Sequence, residues 1–189
     1  MSASLRNRLL VFTVTTIAVL IVIAILWSYL IAAPYNRALV ATTDFLSSAE
    51  IRLGEDFEQA DQQRLGLKEE NIYFSELQEG ELVLHGWLEG PSLHYGMLLL
   101  ISLIAATPGL TWRRRITYIP LAIIILFILH IITILIFATI SLSGTDPSRS
   151  PFVTLFIILG TALFPALVWG AMSLRYWFSG PQSAGKTMQ

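Results

Sequence analysis

Three consecutive arginines, Arg113 to Arg115, follow directly on an uncharged apolar run from Tyr95 to Leu110. An apolar run that ends in a basic cluster is typical of a membrane span whose basic end lies in the cytoplasm. The run corresponds to about 24 Å of helix, which is short of a hydrocarbon core of about 30 Å. The polar segment before the run is therefore expected on the opposite side of the membrane, and this orients the rest of the chain.

The distribution of charge favours the same orientation. Only 13% of the residues are charged and 54% are hydrophobic, whereas a soluble domain has about 25% charged residues. All 13 acids fall in segments predicted to be extracytoplasmic. The segments predicted to be cytoplasmic carry only bases, and their arginines are the predicted topology determinants: Arg6, Arg8, Arg113, Arg114, Arg115 and Arg175.

The sequence predicts an all-α membrane protein with four transmembrane helices and a small extracytoplasmic α+β domain between the first and second. The first apolar stretch is too long for the core of a cleavable signal peptide, so it is predicted to remain as a span. The chain is expected in a bacterial inner membrane with both termini in the cytoplasm. The predicted segments are a cytoplasmic N-terminus at 1–8, transmembrane helices at 9–33, 95–111, 117–140 and 151–174, an extracytoplasmic acidic domain at 34–94, a cytoplasmic basic loop at 112–116, an extracytoplasmic loop at 141–150 and a cytoplasmic tail at 175–189.

The acidic domain contains twelve acids and four bases, a net charge of −8. Leu39, Leu46 and Leu53 recur every seven residues, which predicts a helix with one buried apolar face. Residues 71–77 and 81–88 are rich in β-branched and aromatic residues and predict a β-hairpin. Because an isolated hairpin is marginally stable in water, the hairpin is expected to pack on the helix, on the membrane surface or on another protein.

His130 lies near the middle of the third predicted span, and intramembrane ionisable residues are candidates for function. One interpretation is an axial ligand to haem or a chlorin, or a proton relay; His130 is the one candidate cofactor-binding residue. The favoured interpretation is structural, with a hydrogen bond to Thr161 or Thr133. Helical periodicity predicts that the face with His130 points into the bundle and the opposite face towards lipid: Leu126, Phe127, Thr133 and Ile134 inside, and Ile124, Ile128 and Leu135 outside.

Other reactive groups are scarce. The chain has no cysteine, which excludes disulfides, thiolate metal sites and cysteine nucleophiles. It carries none of the sequence motifs of serine hydrolases, zinc proteases or P-loop proteins, and no catalytic residue is predicted. His85 and His94 match no metal-ligand spacing, so no metal site is predicted. The triple arginine is explained by topology, and no nucleic-acid partner is expected.

The stretch Leu93-His94-Tyr95-Gly96-Met97-Leu98-Leu99-Leu100, followed by Ala105-Ala106-Thr107-Pro108, resembles a pattern in the small membrane proteins associated with exosortase H. The order of parts is also similar: an N-terminal span, a short outer segment and a leucine-rich span. This chain departs from the pattern at His94. The resemblance implies an accessory of a protein-sorting membrane enzyme and carries no catalytic residues.

Three functions are compatible with these observations. The favoured hypothesis is a non-catalytic accessory or assembly subunit of a bacterial inner-membrane complex, with integral membrane proteins and the lipid bilayer as partners. The first alternative is an electron-transfer or light-harvesting subunit with a cofactor at His130. The second is a membrane enzyme acting on lipid or peptide through outer-face groups such as His85, His94 and Glu89.

Overall fold

The computed structural model describes residues 3–47, 49–78, 81–143, 151, 160 and 163–178. The protein is mostly helical with a small three-stranded sheet. Its helices and strands are α1 (Ala3–Leu26), a π-helical turn (Trp27–Ile31), α2 (Ala32–Leu46), β1 (Glu50–Leu53), a 3-10 turn (Gly54–Asp56), α3 (Gln59–Leu65), β2 (Ile72–Gln78), β3 (Glu81–Leu88), α4 (Gly90–Ala106), α5 (Trp112–Leu142) and α6 (Phe164–Phe178).

Two helical stretches, Leu9–Leu46 and Trp112–Leu142, are long and apolar enough to cross a membrane. The apolar helices at Gly90–Ala106 and Phe164–Ser173 are shorter. The predicted second span therefore forms a helix that ends at Ala106, just before Pro108-Gly109. Most of the first half of the predicted fourth span, and residues 144–150 of the predicted loop before it, lie outside the described residues. The predicted start of that loop at residue 141 is wrong, because α5 continues to Leu142.

The first helix does not end at residue 33. It continues as α2 to Leu46, after a π-helical turn in which the Ala32 N–H donates to the Trp27 carbonyl. Pro34 lies three residues after this turn, and the carbonyl four residues before it belongs to Leu30 within the turn. A proline inside a helix has no N–H to donate and crowds the carbonyl four residues earlier, and the wider π turn accommodates it.

The predicted hairpin is confirmed. β2 and β3 pair antiparallel, with Ile72 opposite Leu88 and Gln78 opposite Glu81. A third strand, β1, pairs antiparallel with the other edge of β2. The third strand and the packing of the buried face of the sheet on α2 and α5 support the hairpin, as predicted for a hairpin that needs a helix to pack on.

The prediction that Leu39, Leu46 and Leu53 lie on one buried face of a single helix is wrong, because α2 ends at Leu46. Leu39 and Leu53 are buried, but Leu46 is 55% exposed and Leu53 belongs to β1. Ser47 is already in the extended conformation. The Asp44 carboxylate Oδ1 accepts a hydrogen bond from the Ile51 N–H, and β1 gains backbone hydrogen bonds from β2, which outweigh the helical periodicity of three leucines.

The sheet packs against the last turn of α5. A Cβ on Gly86 of β3 would lie only 2.8 Å from Ser141 Oγ, so the backbone of β3 lies directly on the α5 side chain. At the start of α4, a Cβ on Gly90 would clash with the Glu70 carbonyl oxygen. The absence of a side chain at these two positions lets the sheet domain and the helices approach closely.

Candidate functional site

A buried group of five side chains joins α2, α4 and α5 beside the sheet. We call this group the polar cluster; its members are Trp27, Tyr35, Asn36, His94 and His130. It contains the candidate cofactor residue and one of the outer-face histidines of the sequence analysis. Three helices therefore supply polar groups to one place in the core.

His130 is paired with Tyr35. Its Nδ1 lies 2.7 Å from the Tyr35 hydroxyl, and the two rings are perpendicular with centroids 6.1 Å apart. Which group donates depends on the imidazole tautomer. The predicted partner Thr133 instead donates to the Leu129 carbonyl of its own helix, at 2.9 Å, and Thr161 lies outside the described residues.

The predicted inward face of α5 is confirmed. The side chains of Leu126, His130, Thr133 and Ile134 are buried and Phe127 is partly buried, whereas Ile124 and Ile128 are exposed. Leu135, predicted to face lipid, is partly buried. A spacing of 3.6 residues per turn was enough to find this face, although it could not identify the partner on another helix.

His94 is buried, not solvated. Its Nε2 lies 2.9 Å from Asn36 Oδ1, and its ring meets the Tyr35 ring edge-on at 5.8 Å. His94 lies one turn into α4, which begins at Gly90-Pro91, and its side chain faces α2. A sequence signal for this contact was available in the adjacent polar residues Tyr35 and Asn36, which directly follow Pro34 at the end of the apolar stretch 9–33.

The π-helical turn places Trp27 in the same cluster. Residues eight apart in a regular α-helix differ by about 80° around the axis, but a π turn inserts one extra residue. Trp27 and Tyr35 therefore share a face, with ring centroids 5.4 Å apart. Trp27 also meets His94 at 5.6 Å, and its buried Nε1 has no hydrogen-bond partner among the described residues.

The cluster consists of two separate hydrogen-bonded pairs, Tyr35–His130 and Asn36–His94. Each pair joins α2 to a different helix, and each partner of a histidine is a neutral side chain. Because Tyr35 occupies Nδ1 of His130, a cofactor bound at this histidine would have to use Nε2. Among the residues that the structure describes, no three histidines or acids are grouped to hold a metal ion.

The other outer-face candidates have different surroundings. His85 Nε2 on β3 lies 3.4 Å from the Glu76 carboxylate, so the two form an ion pair only when His85 is protonated. Glu89 is exposed, and its carbonyl accepts a hydrogen bond from the Ser92 hydroxyl. The structure thus places His94, His85 and Glu89 with three different partners, and does not assemble them into one site.

The predicted topology determinants lie at the opposite end of the helices from the cluster. Arg6, Arg113 and Arg114 are exposed. Arg115 Nη2 donates to the Thr107 carbonyl at the end of α4, where a cation interacts favourably with the helix dipole. Arg8 and Arg175 lie in α1 and α6.

Aromatic packing ties this end of the helices together. Trp169 of α6 donates to Thr107 Oγ1 at 2.9 Å and stacks on Phe12 of α1 at 5.7 Å. Phe12 of α1, Thr107 at the end of α4 and Trp169 of α6 therefore lie together, near the start of α5.

No protein-family model, curated protein sequence or solved structure shows significant similarity to this chain.

Proposed function

We propose that this chain is a non-catalytic accessory or assembly subunit of a bacterial inner-membrane complex, with four transmembrane helices and both termini in the cytoplasm. The observation that carries the proposal is the use of the polar cluster. Its buried histidines are engaged in hydrogen bonds that join α2 to α4 and α5. The imidazole groups of His94 and His130, which could act in catalysis, here hold neighbouring helices together.

The exposed end of α2 supports a partner outside the membrane. His130 lies about 22 Å along α5 from Arg115, and its hydrogen bond puts Tyr35 at the same level. Phe45 lies about 15 Å further along α2, so with Arg115 at the inner boundary it is beyond a hydrocarbon core of about 30 Å. Phe45 is nevertheless 87% exposed and its neighbour Leu46 is 55% exposed. Exposed apolar side chains in this position favour contact with another protein.

The partner that we propose is an integral membrane protein whose outer segment packs on Phe45 and Leu46. The resemblance of residues 93–108 to the exosortase-associated proteins supports a membrane enzyme of protein sorting as that partner. In this proposal the transmembrane helices anchor the outer domain, and the end of α2 contacts the partner protein.

Affinity purification of the tagged full chain in a mild detergent tests this proposal. We expect co-purification of a reproducible membrane partner, and its loss in Phe45→Ser and Leu46→Ser with the amount of folded chain unchanged. Gln63→Ser, at an exposed position of α3, is the matched control and should retain the partner. A monodisperse chain with no reproducible partner would contradict the proposed function.

A further inference from the structure

A shallow cavity of about 310 Å³ opens on the outer domain between α3 and the hairpin. We call it the hairpin groove; Leu65, Lys68, Tyr73, Leu84, Gly86 and Trp87 are among its lining residues. Trp87 is 51% exposed and Leu65 is also exposed. The groove therefore presents an apolar and aromatic surface that no described part of the chain covers.

The charge of the groove differs from that of its domain. Residues 34–94 contain twelve acids and four bases, yet no acid lines the groove and Lys68 is its charged residue. The groove thus combines an exposed tryptophan with a cation, within a domain that is otherwise acidic. An exposed tryptophan beside a lysine is suited to a lipid surface, where acyl chains lie beneath a layer of phosphate groups.

The position of the groove is set by α5. Gly86 lines the groove with its backbone on one face of the sheet, and its other face rests on Ser141 in the last turn of that helix. Ser141 lies about 39 Å along α5 from Arg115, and a bilayer is about 30 Å thick in its hydrocarbon core and about 40–45 Å with its headgroups. With Arg115 at the inner boundary, the groove is level with the outer headgroup layer.

We propose that the hairpin groove docks on the phospholipid headgroups of the outer leaflet, with Trp87 and Leu65 inserted into the interface and Lys68 beside the phosphates. This inference rests on the membrane placement in the proposed function. Tryptophan favours the membrane interface because its ring is apolar and its N–H remains hydrated. The long stem of a lysine lies along apolar surface while its ammonium group reaches the phosphate layer.

The docking explains how the sheet is held on the side away from α2. The bilayer covers the groove, while the last turn of α5 supports β3 through Gly86. The outer domain then lies against the membrane on its groove side, and the exposed side chains of Phe45 and Leu46 on α2 remain available to another protein.

Site-directed spin labelling of the full chain in vesicles of phosphatidylethanolamine and phosphatidylglycerol tests the proposal. The absence of cysteine makes each single-cysteine variant uniquely labelled. Leu65→Cys reports the groove, Ile132→Cys reports the exposed face of α5, and Gln63→Cys reports the exposed face of α3. Collision with oxygen and with a water-soluble nickel complex measures the depth of each label.

We expect the Leu65 label to be several-fold less accessible to the nickel complex than the Gln63 label, and to lie between the Gln63 and Ile132 labels in depth. Adding Trp87→Ser or Lys68→Glu should raise its accessibility to the nickel complex towards that of Gln63. Arg64→Glu, which changes the same charge outside the groove, should leave it unchanged. Circular dichroism of each variant checks that the fold is kept.

A Leu65 label as accessible to the nickel complex as the Gln63 label would overturn the docking. Shielding of the Leu65 label from both reagents would also overturn it, because that pattern indicates a protein contact. If the Ile132 label is itself in water, the membrane placement fails, and with it the proposed function. An Ile132 label in the bilayer with a Leu65 label in water refutes only the docking of the groove.

Discussion

The Tyr35 hydroxyl and Nδ1 of His130 lie 2.7 Å apart, in a hydrogen bond that joins α2 to α5. The two residues are 95 positions apart in the chain. Their contact gives His130 a partner on another helix, as the structural interpretation of this residue requires. The neighbouring residue Asn36 binds His94 of α4, so α2 is joined by hydrogen bonds to both α4 and α5.

Removal of either group of the Tyr35–His130 pair should weaken the helix packing to a similar extent. An interhelical hydrogen bond in a membrane contributes about 0.6–2 kcal/mol, so Tyr35→Phe and His130→Leu should each cost about that much. The double variant should cost less than the sum of the two, because both changes remove one interaction. Unfolding by SDS titration in mixed micelles measures these energies, with Thr133→Val, which loses only a bond within α5, as the control. Strict additivity would show that the two groups do not interact.

The substitution His130→Gln separates a structural histidine from a ligand. Glutamine can keep a hydrogen bond with Tyr35 but is not an axial ligand of haem or a chlorin. We expect the variant to retain the fold, and the protein purified from its native membrane to show no visible absorption band. A visible band in the native protein that disappears in His130→Gln would establish the cofactor alternative.

Adding a methyl group at Gly86 should disturb the contact between the sheet and α5. The new Cβ would lie 2.8 Å from Ser141 Oγ and 3.4 Å from Ser141 Cβ, and overpacking of this kind typically costs about 1–3 kcal/mol. Ser141→Gly should restore part of that stability in the Gly86→Ala background, because it removes both opposing atoms. The same SDS titration measures the effect, with Ser141→Gly alone as the control. Failure of the second change to rescue the first would place the strain elsewhere.

Leu53 and Leu46 should respond differently to the same substitution. Leu53 is only 3% exposed in β1, and burial of a leucine side chain contributes about 1.5–3 kcal/mol; Leu53→Asp should therefore lower the yield of folded protein. Leu46→Asp should leave the yield unchanged, since this side chain is already exposed, as should Glu58→Lys at an exposed position. Yield is measured by size-exclusion chromatography in detergent. A loss of folded protein in Leu46→Asp equal to that in Leu53→Asp would contradict the structure at the end of α2.

The orientation of the chain can be read from thiol labelling. Because the chain has no cysteine, a single cysteine introduced at Glu58 should react with a membrane-impermeant reagent in intact spheroplasts. A cysteine at Ser183, in the tail outside the described residues, should react only after the membrane is permeabilised. The opposite pattern would reverse the predicted topology and the proposed function that depends on it.

The sequence by itself determined the features that repeat locally. The uncharged stretches predicted the apolar helices, because the requirement for about 20 apolar residues depends only on the order of residues in the chain. The β-branched and aromatic residues of 71–77 and 81–88 predicted β2 and β3, and the helical period predicted which face of α5 carries His130 inward. The charge pattern predicts an orientation for the same reason, although that orientation awaits its labelling test.

Only the tertiary structure decided which residues meet. β1 forms because the edge of β2 supplies hydrogen bonds that a heptad of leucines cannot reveal, and Leu46 is consequently exposed. The π-helical turn rotates Trp27 onto the face of Tyr35, and His94 of α4 faces Asn36 of α2. The partner of His130 was missed because Tyr35 and His130 are brought together by the packing of two distant helices, and the energy of that contact appears only when the whole bundle forms.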